Sequence, residues 1–254
     1  MALDKNISIV LLHGFCMDAS IWDGVIEKLN SEDIVKIDYS KLVCKEPFLM
    51  EDLGARLGDY LVAENIEQCI LVGHSMGGYV ALEILAQYPE LIAGVALINS
   101  HPFEDSEERK ALRQKSITFV NKFGATPYIK QAIPSWFSEA FTAQQPEKVQ
   151  QVVTTALEKY NGDGVVFSLD AMTHRYNHSD TLRQAEVPVL FINGALDNTV
   201  SEDLRMAQVH LPKVADIQNI EDGGHMSPIE STEKVATMIN EFIDLRILLG
   251  KNSQ

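Results

Sequence analysis

The apolar positions of this chain fall into two alternating patterns. Short apolar runs rich in β-branched residues predict buried strands at residues 7–12, 34–38, 69–72, 94–99, 189–193 and 214–219. Between them, apolar residues recur at helical spacing and predict helices at residues 21–29, 50–62, 76–87, 202–209 and 229–249. Strands and helices that alternate in this way indicate βαβ units, and therefore an α/β fold in which helices cover both faces of a parallel sheet.

The alternation stops between residues 100 and 187. The segments 106–123, 129–137 and 146–160 have helical spacing, and no apolar run typical of a strand separates them. An insertion that leaves the carboxyl end of a strand lies over the crevice where sheets of this kind bind ligands. We therefore predict a single domain, with a core formed by residues 1–99 and 187–250 and a helical lid formed by residues 100–186.

Composition and charge narrow the classes of function. The chain has 254 residues, 46% of them apolar, and carries 21 Lys and Arg against 36 Asp and Glu, a formal net charge of −15. Such a surface repels nucleic acid phosphates and anionic membranes, so we expect neither as a partner. The three cysteines are too scattered to indicate a disulfide framework. The N-terminus has no signal-peptide pattern, and no apolar run reaches the roughly 18 residues of a membrane span, so we expect a cytoplasmic protein.

The most informative motif is Gly73-His74-Ser75-Met76-Gly77, which joins a predicted strand to a predicted helix. A turn this sharp strains the backbone of the central serine. A side chain two residues before or after it would collide with the neighbouring chain, which explains a glycine at both positions. A helix-capping role for Ser75 would not explain those glycines, so we interpret Ser75 as a nucleophile.

A serine nucleophile needs a base, and the base needs a carboxylate that orients it. His225 is the candidate base, because two glycines precede it and a helix start follows it. Asp197 is the candidate acid, because it follows a predicted strand that ends in a glycine turn. Asp222 competes for this role, but so short a link to His225 restricts how its carboxylate reaches the far side of the imidazole.

Negative charge that develops on an attacked carbonyl oxygen needs preorganised donors. The backbone amides of Met76, at the start of a helix, and of Phe15, directly after the first strand, are the candidates. The helix dipole adds to the field at Met76. Cys16 lies beside this loop, but a lone cysteine is more often a small buried apolar residue than a nucleophile.

The order of these motifs resembles that of the α/β-hydrolase superfamily, specifically its compact lidded members such as small carboxylesterases, meta-cleavage-product hydrolases and proline iminopeptidases. The resemblance covers the chain outside the predicted lid. It is carried by Leu12-His13-Gly14-Phe15, Gly73-His74-Ser75-Met76-Gly77-Gly78, Gly194-Ala195-Leu196-Asp197 and Gly224-His225-Met226-Ser227-Pro228. The resemblance implies Ser75 as nucleophile, Asp197 as acid, His225 as base, and the amides of Phe15 and Met76 as the oxyanion hole.

One feature departs from this family. Its members usually have an antiparallel strand pair before the first of these motifs, whereas only six residues precede Ile7 here. We therefore expect about six strands, mostly parallel, and an exposed sheet edge that would favour self-association as a homodimer. Near the site, we expect His13, His74, Trp136 and Met172 to line the substrate pocket.

Together these inferences predict a cofactor-independent serine hydrolase that acts on a small ester-like acyl substrate through an acyl-enzyme. No metal is expected, because His174 and His178 have a metal-binding spacing but lack an evident third ligand. Two alternatives remain open: hydrolysis of a carbon–carbon bond in a diketone of the ring-cleavage type, and a small-molecule sensor that keeps the triad. A serine at position 75 argues against dehalogenase and epoxide hydrolase chemistry, which uses a carboxylate nucleophile in this family.

Overall fold

The computed structural model describes residues 7–251. Six strands form one parallel sheet in the spatial order β2-β1-β3-β4-β5-β6. They are β1 (Ile7–Leu12), β2 (Ile34–Ile37), β3 (Gln68–His74), β4 (Ile92–Ile98), β5 (Val189–Gly194) and β6 (Ala215–Ile220). The α/β fold with six parallel strands is confirmed, and no strand precedes β1 within the described residues, although the first six residues of the predicted core lie outside them.

Every connection between consecutive strands contains at least one helix, as parallel pairing requires. Residues 7–251 contain the helices α1 (Asp23–Ile26), α2 (Ser40–Val43), α3 (Met50–Ala63), α4 (Met76–Gln87), α5 (Glu107–Phe123), α6 (Ala125–Ala132), α7 (Glu139–Gln144), α8 (Pro146–Lys159), α9 (Gly162–Thr173), α10 (Ser179–Gln184), α11 (Glu202–Gln208), α12 (Ser227–Glu230) and α13 (Thr232–Lys251). Short 3₁₀ helices lie at Ala19–Trp22, Pro89–Leu91 and Ile133–Trp136. None of the described helices is long and apolar enough to cross a membrane.

Burial of the strands follows their position in the sheet. The strands β1, β4 and β5 are buried throughout, because helices cover both faces of the central sheet. The edge strand β6 alternates between exposed and half-buried positions until the buried Ile220. Its weaker apolar signal explains why the predicted strand at 214–219 is displaced by one residue.

The predicted helices at 50–62 and 76–87 are confirmed to within one residue as α3, which is buried on one face, and α4, which is buried along almost its whole length. The predicted helix at 229–249 is in fact two helices that meet at Ser231. The segment predicted at 129–137 contains the end of α6 and a 3₁₀ turn, and the one at 21–29 contains a 3₁₀ turn and α1. Helices α2, α7, α9 and α10 were not predicted. In α9 the buried side includes Gly164 and Ser168, whereas Val166 and Phe167 are half-buried on other sides, so its apolar positions show little periodicity.

Between β4 and β5 the chain forms α5 to α10, and we call residues 100–186 the helical insertion. Helix α5 packs on α9, and α6 packs on α8. Hydrogen bonds and ion pairs fasten the insertion to the core loops. The Tyr160 hydroxyl donates to the carbonyl of Met17 at 3.0 Å, and Lys159 lies 3.2 Å from Asp18 and 3.0 Å from Asp38.

Candidate active site

Four loops that follow strands meet at one edge of the sheet. Phe15 follows β1, Ser75 follows β3, Asp197 follows β5 and His225 follows β6. Because all six strands are parallel, their carboxyl ends coincide at this edge. Residues that are far apart in the sequence therefore lie close together in the fold.

Ser75 lies in a strained turn between β3 and α4. Its φ of 52° lies in the left-handed region, which few non-glycine residues adopt. Its N–H donates to the carbonyl of Ile98 at 3.0 Å. A Cβ at Gly73 would overlap the backbone of Gly77, and a Cβ at Gly77 would overlap the carbonyl of Leu12 in β1. Both glycines are therefore required by the close passage of α4 over the strands.

A continuous chain of hydrogen bonds links Ser75, His225 and Asp197. His225 Nε2 lies 2.9 Å from Ser75 Oγ, and His225 Nδ1 lies 2.9 Å from Asp197 Oδ2. An ionised carboxylate only accepts hydrogen bonds, so the proton of the neutral imidazole resides on Nδ1. Nε2 is then free to accept the hydroxyl proton of Ser75. The structure thus brings together the hydroxyl, base and acid that the sequence singled out.

Four donors converge on the Asp197 carboxylate. Oδ1 accepts the N–H groups of Thr199 at 2.7 Å and Val200 at 3.0 Å, and Oδ2 accepts Asn99 Nδ2 at 2.9 Å as well as His225 Nδ1. Burial raises the pKa of Asp197, but the charge and hydrogen bond of His225 and the two amides outweigh burial and lower the pKa to about 2. Asp197 is therefore ionised at neutral pH and holds His225 in one tautomer.

The competing acid, Asp222, makes a different contact. Its Oδ1 lies 2.6 Å from Lys234 Nζ, and its side chain is 73% exposed. The hydrogen bond of Lys234 lowers the pKa of Asp222, as expected for a surface ion pair. The structure therefore brings Asp197, and not Asp222, to the far side of the imidazole.

The backbone of His225 is held from two sides. Its N–H donates to the carbonyl of Trp136 in the helical insertion at 3.0 Å, and its carbonyl accepts His74 Nε2–H at 2.8 Å. Burial, followed by the nearby His225 ring, lowers the pKa of His74 to about 3. A neutral His74 therefore acts as a fixed donor that positions the His225 loop.

Glu230 is a positioning residue that the sequence analysis noted only as part of a helix start. Its carboxylate accepts the N–H groups of Gly224 at 3.2 Å and Met226 at 3.0 Å, which flank His225. It also accepts the N–H of Ser138 in the helical insertion at 2.9 Å. One carboxylate thus fastens the His225 loop to the helical insertion.

Asn99, directly after β4, is a second site residue that sequence reasoning missed. It is 1% exposed, and its Nδ2 donates to Asp197 Oδ2 at 2.9 Å and to the carbonyl of Gly224 at 3.2 Å. Its φ of 49° is one that asparagine tolerates better than most residues. The available signal was a polar residue at the end of an otherwise apolar strand.

Replacing Asn99 with alanine is expected to destabilise the protein by about 2 kcal/mol, because it removes two buried hydrogen bonds and the residue type that tolerates this backbone conformation. Urea unfolding measures the change. Asn65→Ala is the matched control, since Asn65 also has a positive φ, 58°, but lies exposed in a turn after α3. Equal losses from the two variants would mean that Asn99 contributes only its backbone conformation.

The N–H groups of Phe15 and Met76 donate to no other residue within the part of the chain that the structure describes. Both residues are buried, at 8% and 0% exposure. The loop after β1 passes close to the nucleophile, because a Cβ on Gly14 would lie 3.3 Å from Ser75 Cβ. A buried N–H without an acceptor is costly, so the two groups are suited to an acceptor supplied by a ligand.

A cavity of about 80 Å³ adjoins Ser75. Of the residues expected to line it, His74, Trp136 and Met172 do so. The ring of Phe15 lies 6.0 Å from that of Trp136, centroid to centroid. The walls therefore come from both the strand-end loops and the helical insertion.

His13 was expected to line the pocket, but it lies behind the cavity wall. It is fully buried, and its ring stacks on Tyr39 with the centroids 3.8 Å apart. The N–H of Tyr39 donates to Nε2 at 3.2 Å, so Nδ1–H donates to the carbonyl of Gly14 at 3.0 Å. Burial lowers the pKa of His13 to about 4, and the neutral ring braces the loop that carries Phe15.

The other reactive side chains considered from the sequence lie in different surroundings. Burial raises the pKa of the Cys16 thiol, which is therefore protonated at neutral pH. His174 lies 3.5 Å from Asp170 on the surface, whereas His178 contacts the buried Glu83 at 3.0 Å, so the two histidines do not face a common centre. Within residues 7–251 no group of three or more His, Cys, Asp or Glu side chains could hold a metal ion.

This fold and arrangement of side chains agree with a known family. A model of the alpha/beta hydrolase family matches residues 9–238, which is most of the chain. The chain therefore belongs to the alpha/beta hydrolase family. Membership of this family supports hydrolase activity.

Individual relatives match over nearly their full length. The chain is 24% identical over 250 residues to 2-succinyl-6-hydroxy-2,4-cyclohexadiene-1-carboxylate synthase from Enterobacter sp. (strain 638), covering 94% of this chain and 92% of that protein. A thermophilic esterase from Thermogutta terrifontis superimposes with a TM-score of 0.85 at 24% identity, covering 94% and 90% of the two chains. The enol-lactonase from Burkholderia xenovorans LB400 gives 0.83 at 19% identity, covering 93% and 90%. At these identities, the likeness to the two solved structures shows the fold.

Proposed function

We propose that the protein is a serine hydrolase that cleaves a small ester-like carbonyl substrate without a cofactor. The observation that carries this proposal is the hydrogen-bonded chain from Asp197 through His225 to Ser75. The Nδ1–Oδ2 and Nε2–Oγ distances are both 2.9 Å. Distances of this size are those required for proton transfer between a nucleophile and its base.

In the first half of the reaction, Ser75 Oγ attacks the substrate carbonyl carbon while His225 Nε2 takes the hydroxyl proton. The carbon–oxygen bond to the leaving alcohol then breaks, and the imidazolium returns that proton to the alcohol. Asp197 stays ionised and stabilises the imidazolium. The product of this half is an acyl-enzyme on Ser75.

The amides of Phe15 and Met76 supply the oxyanion hole in this proposal. Neither has an internal acceptor among the described residues, and Met76 begins α4, where the helix dipole favours negative charge. Donors of this kind typically lower the barrier by a few kcal/mol each, because they are oriented before the reaction begins.

In the second half, a water molecule attacks the acyl carbon, and His225 removes its proton. The imidazolium then returns the proton to Ser75 Oγ, the bond between this oxygen and the acyl carbon breaks, and a carboxylic acid is released. We propose that residues 100–186 act as the lid, since Trp136 and Met172 close the cavity from that side and exclude bulk water.

A reducing compartment suits this enzyme. Cys16, Cys44 and Cys69 are all free thiols, and two of them are buried. With no helix among the described residues suited to a membrane, we propose a cytoplasmic enzyme that acts on a small acyl substrate.

Covalent labelling tests the proposed function directly. A fluorophosphonate probe should attach to the peptide that contains Ser75, and the protein should hydrolyse short 4-nitrophenyl esters. Mass spectrometry locates the label, and release of nitrophenolate gives the rate. The proposal fails if the protein neither reacts with the probe at Ser75 nor turns over any ester in a panel of acyl chains.

The near full-length match to a synthase favours one further candidate function. That relative is named for the formation of a cyclohexadiene carboxylate. A protein that reacts with fluorophosphonate at Ser75 but hydrolyses no ester, thioester or amide would favour such a reaction. Mass spectrometry of the named compound, after incubation with its precursor, would then decide.

A further inference from the structure

The charge around the Ser75 cavity differs in sign from that of the whole protein. Although the chain carries a formal net charge of −15, no Asp or Glu among residues 7–251 lines this cavity. Two arginines do, Arg109 and Arg113, which are four residues apart on α5. Residues at this spacing lie on the same face of a helix, so both side chains extend from α5 on the side of the cavity.

Arg113 belongs to a buried cluster with more positive than negative charge. Its Nε donates to Asp105 Oδ2 at 2.5 Å, and Arg175 Nη1 donates to Asp105 Oδ1 at 2.6 Å. All three side chains are less than one tenth exposed. Two cations therefore share one carboxylate, and burial of the unbalanced charge is unfavourable unless a further anion approaches.

Arg175 does not line the cavity, and its buried Nε has no hydrogen-bond partner among the described residues. Its Nη1 and Nη2 donate to the backbone carbonyls of Met172 at 2.7 Å and Phe103 at 2.8 Å, and its guanidinium lies 4.1 Å from the Tyr79 ring centroid. Arg113 differs, because within the described part of the chain its Nη1 meets only the thioether of Met172, at 3.4 Å. Sulfur is a weak acceptor, so this buried N–H group keeps most of its capacity to bind an anion.

The guanidinium group of Arg109 can also bind an anion. Arg109 is half-buried, and no carboxylate lies within ion-pair distance of it among residues 7–251. The neighbouring acidic groups have other partners: Asp105 binds the two buried arginines, and Glu107 lies 2.9 Å from Lys110. An anion in the inner cavity would meet two guanidinium groups, and none of the described residues that line this cavity is a carboxylate.

The position of the two arginines limits the kind of anion. They also line a larger outer groove of about 590 Å³, which shares Tyr79 and Thr199 with the Ser75 cavity. Four acidic residues line the groove beyond them, Glu104, Asp105, Glu107 and Asp203, so the arginines are the part of its wall that favours an anion. Arg109 and Arg113 thus lie where the small inner cavity meets the groove. The far end of an acyl chain that extends from Ser75 through the inner cavity would reach this junction.

We propose that Arg109 and Arg113 form a carboxylate subsite that selects half-esters of short dicarboxylic acids. Guanidinium groups bind carboxylates through paired N–H donors, and such charge-assisted bonds are stronger than neutral ones. The net charge of the protein provides no long-range attraction for an anion, so the preference arises from these local contacts. This inference rests on the ester hydrolysis proposed above.

Paired substrates test the subsite. Mono-4-nitrophenyl glutarate and 4-nitrophenyl butyrate share the leaving group, but only the first has a terminal carboxylate. The wild-type protein should give the larger kcat/KM with the glutarate ester, and Arg109→Gln should lower the ratio of the two values about tenfold, mainly through KM for the glutarate ester. Arg109→Lys, which keeps the charge, should restore part of the ratio.

Lys115→Gln is the matched control. Lys115 lies on the exposed side of the same helix, so this variant loses the same charge but should keep the wild-type ratio. The subsite is wrong if wild type prefers the butyrate ester, if Arg109→Gln reduces both rates equally, or if Lys115→Gln changes the ratio as much as Arg109→Gln.

Binding of free glutarate gives a readout that does not depend on catalysis. Glutarate should raise the Tm of wild type and of Lys115→Gln, but not that of Arg109→Gln. An absence of any shift with wild type would overturn the subsite even if esters are hydrolysed. A shift that Arg109→Gln abolishes would support the subsite even if Ser75 proves unreactive and the proposed hydrolysis fails.

Discussion

Alanine in place of Ser75 is expected to lower the rate of ester hydrolysis at least ~10³-fold while leaving the protein folded. The substitution removes the oxygen that lies 2.9 Å from His225 Nε2. It keeps the Cβ, so the left-handed backbone at position 75 is no more strained than before. Steady-state kinetics with a 4-nitrophenyl ester measures the loss, and thermal unfolding checks the fold.

A buried serine outside the cavity provides the control for this variant. Ser168 lies in α9 with 0% exposure, and its hydroxyl has no hydrogen-bond partner among the described residues. Ser168→Ala should therefore retain the wild-type rate. If Ser75→Ala kept more than a tenth of the activity, the hydroxyl would not be the nucleophile.

Asparagine in place of Asp197 is expected to lower the rate about 10³- to 10⁴-fold. The carboxylate accepts from four donors, including His225 Nδ1 and Asn99 Nδ2. An amide has one acceptor and one donor group, so its NH₂ would face at least one of these donors. His225 would then favour the tautomer that carries its proton on Nε2, which cannot accept from Ser75. Steady-state kinetics at neutral pH measures this effect.

Asp222→Asn is the matched control for Asp197→Asn. It removes the same charge only three residues from His225, at an exposed side chain that is paired with Lys234. Its kcat should stay within about twofold of wild type, since surface ion pairs contribute little. A larger loss from Asp222→Asn than from Asp197→Asn would reverse the assignment of the acid.

The Asp197 variant also has a signature in the pH dependence of stability. The folded-state pKa of Asp197 is about 2, below the ordinary value of about 3.9 for an unfolded chain. Its ionised form therefore stabilises the fold above pH 4, and this contribution of order 2 kcal/mol is lost as the pH falls from about 4 to 2. Urea unfolding should show the stability difference between wild type and Asp197→Asn narrowing over that range. A difference that stays constant from pH 6 to pH 3 would contradict the lowered pKa.

Much of the fold could be predicted because its signals are local. The apolar runs of β1 and β5 lie in strands that helices cover on both faces, so they are readable without knowledge of their partners. At Gly73 and Gly77 two backbone segments pass too close for a Cβ. This requirement appears in the sequence as two glycines within a five-residue motif. The parallel sheet then places the loops that follow its strands at one edge.

Other parts of the site left no such trace. Asn99 and Glu230 act on residues that are more than 90 positions away, through the carboxylate of Asp197 and the N–H of Ser138. The position of His13 directly after β1 predicts a residue of the pocket wall, but its ring stacks on Tyr39 instead. The helix α9 shows little periodicity in its apolar positions, because Gly164 and Ser168 are buried while Val166 and Phe167 are half-buried on other sides. Each outcome depends on a neighbour that the local sequence does not specify.

The amino-acid sequence by itself determined the α/β class, the turn that presents Ser75, and the order in which the candidate nucleophile, acid and base follow their strands. Only the tertiary structure decided that Asn99 supports Asp197, that His13 lies behind the cavity, and that Arg109 faces it without a carboxylate partner among residues 7–251. The reason is physical. A tight turn or a buried strand restricts its own residues, whereas ion pairing and burial depend on distances between segments that meet only when the chain folds.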